Sequence, residues 1–202
     1  MSFRSTLSVP ALLVPAAAAA LLTSGASAAV YQYSLSFANG YVVEGQFSTK
    51  ASAPASFIES NPTQTSPPYA TTYLESHTMR VLQYGAVIDQ STSVFAGVCS
   101  DLYLYLDFSS VGGPAIAGMD LSTVDPEATS YYFVSNSKDP TGAYGAYGST
   151  GFNLFRSDVA TMQDVYIGTA TSLTVVEVPA PGALAVLAAA GIGVGGRRRR
   201  KA

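Results

Sequence analysis

The sequence predicts an all-β fold, a single antiparallel β-sandwich or jelly-roll-like domain, on three observations. Short runs alternate apolar and polar residues with a period of two, an Asn-Gly pair joins the first two runs, and glycine and proline break the chain between the later ones. Tyr31, Tyr33, Leu35 and Phe37 alternate with Gln32, Ser34 and Ser36 in the first strand, and Tyr41, Val43 and Phe47 set the period of the second. Asn39-Gly40 between them predicts a tight hairpin with positive φ at both turn positions. Residues 51–72 are dense in Pro, Ser and Thr and are expected as one long loop anchored only by Phe57-Ile58. Strands are expected again over 73–82, 86–88, 94–98 and 102–108, the last with Leu102, Leu104, Leu106 and Phe108 on one face. Residues 109–129 are broken by Gly112, Gly113, Pro114, Gly118 and Pro126, after which 131–134, 152–155 and the long run 165–176 supply the remaining strands. The alternative to an all-strand body is a sheet carrying one helix near residues 157–163. About 150 residues suffice for one core, and no second domain or internal repeat is visible.

Composition removes several chemistries. The 202-residue chain has one cysteine, Cys99, and one histidine, His77. An internal disulfide framework, a cysteine-cage zinc site and a multi-histidine metal centre are therefore excluded. The formal charge of -3 hides an asymmetry, because all 13 acidic residues fall between Glu44 and Glu177 while Arg4 and the Arg197–Lys201 run lie outside that body. With only Lys50, Arg80, Lys138 and Arg156 as cations, residues 30–178 carry -9. Such a body is repelled by phosphate backbones, so nucleic acid is not an expected partner.

Both ends read as addresses. Residues 1–28 combine a basic start at Arg4, an apolar stretch from Val9 to Leu22 and small residues at Ala26 and Ala28, the pattern of a secretory signal peptide cut after Ala28 by signal peptidase. At the other end Glu177-Val178-Pro179-Ala180-Pro181 precedes fifteen uncharged residues, Gly182 to Gly196, and then Arg197, Arg198, Arg199, Arg200 and Lys201. Fifteen helical residues reach roughly 22 Å against a hydrocarbon core of ~30 Å, a marginal span that snorkelling arginines extend. The basic run would stay cytoplasmic and hold the acidic body outside. This tripartite order of motif, apolar helix and basic stop, over 177–202, resembles the PEP-CTERM sorting signal of Gram-negative bacteria. Pro179 and Pro181 match its two prolines and Val178 the valine that often precedes them, whereas Ala180 stands where the motif has Glu. The Gly45-Gln46-Phe47 element is also similar to openings seen in bodies of such proteins. The resemblance implies export, transient insertion in the inner membrane, cleavage near Pro179 by an exosortase, and release to the cell surface or an exopolysaccharide-rich matrix or biofilm.

The body itself shows little chemistry. His77 beside Ser76 suggests a Ser-His-Asp triad only superficially, since no Gly-x-Ser-x-Gly elbow is present, and it is expected as an ordinary surface histidine. Glu44, Glu59, Glu75, Asp107 and Glu127 offer carboxylates to a glycosidase without selecting a pair. The acids from Asp101 to Asp139, with Asn136, could supply oxygen to calcium but match no calcium-loop motif and are expected as turn residues and caps. Gly142-Ala-Tyr-Gly-Ala-Tyr-Gly148 is expected as a hairpin tip whose rings could stack on sugars, on a tyrosine-rich outer face. Cys99 is expected as a small buried hydrophobe. The sequence thus predicts no catalytic residue, metal site or cofactor. It points to a non-enzymatic exported surface or matrix protein, with a carbohydrate- or calcium-binding module as the alternative and an exported hydrolase the weaker third.

Overall fold

The computed structural model describes residues 28–61, 66–101, 104–123, 130–161 and 163–179. The expected signal segment other than Ala28, and the expected membrane helix with its basic stop, lie outside the described residues. The body is all-β and antiparallel, and among the described residues there is no helix. Its strands are β1 (Val30–Phe37), β2 (Tyr41–Thr49), β3 (Ser56–Ser60), β4 (Tyr69–Ala70), β5 (Leu74–Gln83), β6 (Ala86–Phe95), β7 (Val98–Cys99), β8 (Tyr105–Ser109), β9 (Ala115–Ser122), β10 (Ser130–Ser135), β11 (Asn153–Asp158) and β12 (Gln163–Val178).

They form one curled sheet in the order β3-β8-β9-β10-β11-β12-β1-β2-β5-β6-β7-β4. The curl is built at β12, which pairs with β11 through Gln163–Thr169 and with β1 through Ala170–Val178. Both ladders slip there, leaving Ile167 and Thr171 out of register. Bulges of this kind add local twist and let a strand change partners at a corner. The freed groups find other bonds: Asn39 Nδ2 donates to the Ile167 carbonyl at 2.8 Å and Thr171 Oγ1 to the Ser36 carbonyl at 3.0 Å.

The curl brings two faces together over a shared core. Tyr31, Leu35, Val43 and Phe47 from one half meet Phe57, Leu106, Phe108 and Met119 from the other. Phe108 is the joint, with ring centres 4.5 Å from Tyr31, 5.1 Å from Phe47 and 5.5 Å from Phe57. The edge strand β3 is tied to the β4–β5 link and the start of β5 by Glu59, whose buried carboxylate accepts the backbone N–H groups of Thr72, Tyr73 and Leu74 at 2.9, 2.6 and 3.0 Å.

Several expectations are corrected. The first hairpin is present, but positive φ occurs at Gly40 and not at Asn39. Ser36 opposes Val42 and Gly40 N–H bonds the Phe37 carbonyl, so the loop is Ala38-Asn39-Gly40, a turn closed by a left-handed glycine. The expected loop 51–72 contains β3, where Phe57 and Glu59 face inward and pair across to β8. The broken segment 109–129 contains β9, disguised because the bulge opposite Asp107/Phe108 flips its inward parity from Ile116 to Met119 and Leu121. The candidate helix at 157–163 is the turn of the β11–β12 hairpin, with Asp158 Oδ1 accepting Thr161 N–H at 2.9 Å. Tyr31 and Tyr33 are core residues and do not belong to an outer tyrosine face.

Candidate functional site

The residues expected from sequence to form a sorting motif fall where the described chain stops. Val178 ends β12 opposite Val30 of β1, and Pro179 follows as an exposed residue outside the sheet. Proline offers no N–H to continue a ladder, which accounts for β12 ending there. Ala180, Pro181, Arg197, Arg198, Arg199, Arg200, Lys201 and Ala26 lie outside the described residues, while Ala28 is half-buried just ahead of β1.

His77 is corrected from a surface residue to a fully buried one. Its Nε2 lies 2.9 Å from the Tyr33 hydroxyl and its Nδ1 2.5 Å from Ser93 Oγ. A neutral imidazole carries one N–H and one lone pair, so it bridges two hydroxyls with both partners satisfied. Burial pulls its pKa down to about 4 and pushes the Tyr33 hydroxyl up. Ser76, its neighbour in sequence, bonds Ser48 Oγ at 2.6 Å and not the imidazole. Tyr33 reaches His77 diagonally across β2 over Gly45, where any Cβ would come within 2.1 Å of the ring. Cys99 is buried, and burial pushes its thiol pKa up, away from nucleophilic character.

Two hollows mark the outer faces. The larger, about 490 Å³, lies over β1, β2, β5 and β12, but its polar groups pair with each other: Gln32 with Gln46 at 3.2 Å and Arg80 with Glu44 at 2.6 Å. The smaller, about 140 Å³, is lined by Asp120, Ser122, Tyr131, Phe133, Tyr144, Ser157 and Asp164, and is the candidate site.

Strand register assembles it. Phe133 opposes Ser122 on one side and Phe155 on the other, while Tyr131 opposes Ser157, which opposes Asp164. Because side chains alternate, these rows share the face of β9 to β12 turned away from the main core. Residues 136–152 then fold over that face. Asn136 anchors them, its Oδ1 accepting Met119 N–H at 3.1 Å and its Nδ2 donating to the Ala117 carbonyl at 2.8 Å. Asp139 Oδ1 accepts the N–H groups of Thr141 and Ala143, turning the chain back so that Lys138 pairs with Tyr144.

Lys138 is 5% exposed, with Nζ bonded to Asp164 and lying 4.8, 5.1 and 5.3 Å from the ring centres of Tyr144, Phe155 and Phe133. Burial works against its charge, yet the Asp164 hydrogen bond and Tyr144 outweigh it, and its pKa stands above the ordinary lysine value. Asp120 shows the opposite balance. Burial, reinforced by Asp101 and Asp164, raises its pKa to about 8, against a lowering from Tyr147 and Lys138, so this carboxyl is largely protonated at neutral pH. The expected hairpin tip 142–148 is exposed but laid as a strap along this face by one ring contact: Tyr147 stacks on Tyr105 with ring centres 3.5 Å apart, directly over Gly118, where a Cβ would meet Tyr105 at 2.6 Å. Tyr144 remains 67% exposed at the mouth of the cavity.

Of the acids weighed from sequence, the site takes Asp120, with Asp101 holding Ser122 from behind through a 2.5 Å hydrogen bond. Asp125 and Glu127 lie outside the described residues. Asp164, Lys138 and Ser157 were not singled out by sequence reasoning. A signal for them existed: Tyr131-Tyr132-Phe133-Val134 is apolar on both strand faces, the mark of a strand covered on both sides. Among the described residues no three of His, Cys, Asp and Glu are grouped to hold a metal ion. Compared with family models, curated proteins and solved structures, the chain matches none.

Proposed function

We propose that this chain is a non-enzymatic exported surface or extracellular-matrix protein of a Gram-negative bacterium, sorted by an exosortase and associated with exopolysaccharide or biofilm. The body is read as a β-sandwich made by folding one sheet over itself. The observation that carries the reading is the order of the tail: Val178-Pro179-Ala180-Pro181, an uncharged stretch through Gly196, then Arg197–Lys201, matched at the other end by a basic, apolar and small-residue leader ending at Ala28. Those two segments give one topology, with the acidic body outside and the basic run inside. Signal peptidase and exosortase are the processing partners, and the chain supplies their substrate residues only.

Intact mass of the native protein from cell envelope and from medium, with the C-terminal peptide sequenced, tests this. A C-terminus at residues 178–181 is expected, and any additional mass identifies an attached lipid or sugar. Survival of Arg197–Lys201 in the mature protein overturns exosortase sorting and leaves a permanent anchor.

A further inference from the structure

We propose that the chain staples its own fold with an amide between two side chains: Lys138 Nζ attacks Asp164 Cγ, one water leaves, and an intramolecular isopeptide bond ties the start of the strap 136–152 to β12, with Asp120 as the proton carrier.

The Lys138–Asp164 contact carries the inference. Nζ and Oδ2 are in direct contact, the lysine side chain 6% and the aspartate side chain 25% exposed. Each partner is fixed by its own backbone. The Lys138 carbonyl accepts Asn153 Nδ2 at 2.8 Å and the residue bridges to Tyr144, while Asp164 sits in the β11–β12 ladder opposite Ser157. Reacting groups held together in this way gain an effective molarity of roughly 10⁵ M or more, which favours a condensation that a free amine and acid in water do not complete. The surroundings disfavour the charged pair. Rings of Tyr144, Phe155 and Phe133 stand 4.8, 5.1 and 5.3 Å from Nζ, and burial opposes the lysine charge even as the bond to Asp164 retains its proton.

An ammonium has no lone pair, so the step starts from the neutral pair, reached when the proton along the contact passes from Nζ to the carboxylate. The amine adds to Cγ and a proton moves from nitrogen to the departing hydroxyl. The C–O bond breaks, one water is released, and the amide remains with nothing oxidised or reduced. Asp120 lines the same cavity as Asp164 and interacts electrostatically with both partners. Burial and Asp101 raise its pKa to about 8, so near neutral pH its carboxyl can both give a proton to the leaving hydroxyl and take one from the nitrogen. The cavity of about 140 Å³ onto which Asp164 opens gives the water a way out. With Cys99 the only cysteine, no disulfide can form within the chain. The amide supplies a covalent closure in its place, from residue 138 to residue 164.

The test is intact mass and a tryptic map of the denatured full-length chain, taken from detergent when freshly purified and again after overnight incubation at neutral pH. The mass is expected one water below that of the sequence between its sequenced termini. Trypsin is expected not to cut after Lys138, and fragmentation is expected to show a branched peptide joining Lys138 to Asp164. Asp164→Ala is expected to have its full mass and to regain cleavage after Lys138. Asp120→Asn, which is nearly isosteric, is expected to form the bond at least about a hundredfold more slowly. Should a variant fail to fold, the wild-type map decides. Full mass in the incubated wild type with cleavage after Lys138, or water lost at any other residue or pair, overturns the bond. Formation by Asp120→Asn at the wild-type rate overturns the role given to Asp120.

Discussion

Acidification from pH 7 to pH 4 is expected to cost the fold about 3 kcal/mol at His77 alone. The imidazole is fully buried between the Tyr33 hydroxyl and Ser93 Oγ and holds its pKa at about 4, against 6.5 when unfolded. A histidine with a depressed folded pKa binds fewer protons folded than unfolded throughout that interval. Its stabilisation is therefore complete above about pH 6.5 and is lost as pH falls toward 4, at about 1.4 kcal/mol for each pH unit between the two values. Asp120 works in the other direction, since its raised pKa favours the folded state more as pH falls through the range below 8. A comparison of variants separates the two. Urea unfolding of wild type and His77→Gln at pH 7 and pH 4 is expected to show wild type losing about 3 kcal/mol more than the variant. His77 is the only histidine in the chain, so its ring resonances also titrate without ambiguity. An NMR midpoint near 6.5, or equal pH dependence in the two proteins, would refute the burial argument.

Three further outcomes are expected from packing. Gly45→Ala places a methyl 2.1 Å from the Tyr33 ring and is expected to cost about 3 kcal/mol in chemical denaturation, most of it recovered when Tyr33 is also shortened to Leu; a cost under about 1 kcal/mol would contradict the ring position. Glu59→Gln replaces an acceptor of three backbone N–H groups by an amide with only one accepting oxygen, and is expected to cost about 2–3 kcal/mol and to speed hydrogen exchange at residues 72–74. Tyr147→Ala removes the stack on Tyr105, worth about 1 kcal/mol beyond its buried area, and is expected to make residues 138–151 the first site of limited proteolysis, with unchanged cleavage counting against the strap.

The strands that were legible in the sequence are those whose two faces differ. In Tyr31–Phe37 and Leu104–Phe108 every second side chain enters the core, and the period of two is visible directly. β9 was hidden because a bulge changes which face is inward partway along it, and β3 because its five residues sit in proline- and serine-rich surroundings and gain their place from β8 and from the Glu59 tie. The bridge at His77 was illegible for a different reason. Tyr33, His77 and Ser93 lie 44 and 16 residues apart, and only the β1-β2-β5-β6 register joins them. The cavity is the same case: Ser122, Tyr131, Ser157 and Asp164 become neighbours through three successive ladders, and no local spacing announces that.

That register also constrains the processing proposed above. Val30 and Val178 face each other across β1 and β12, so the described chain enters and leaves the body side by side. The pairing further limits where a peptidase can cut. From Val178 back to Leu173 each residue of β12 has a partner on β1, Glu177 opposite Tyr31 and Val175 opposite Tyr33, and both of those tyrosines are core residues. A cut after Val178 or Pro179 leaves the ladder whole, whereas a cut upstream of Val175 would strip the outer partner from the strand that carries Tyr31 and Tyr33, exposing backbone N–H and C=O groups and the edge of the core. Mature C-termini are accordingly expected no earlier than Val178. A stable native form ending at Thr174 or before would mean that β12 contributes far less to the fold than its nine-residue pairing segment with β1 implies.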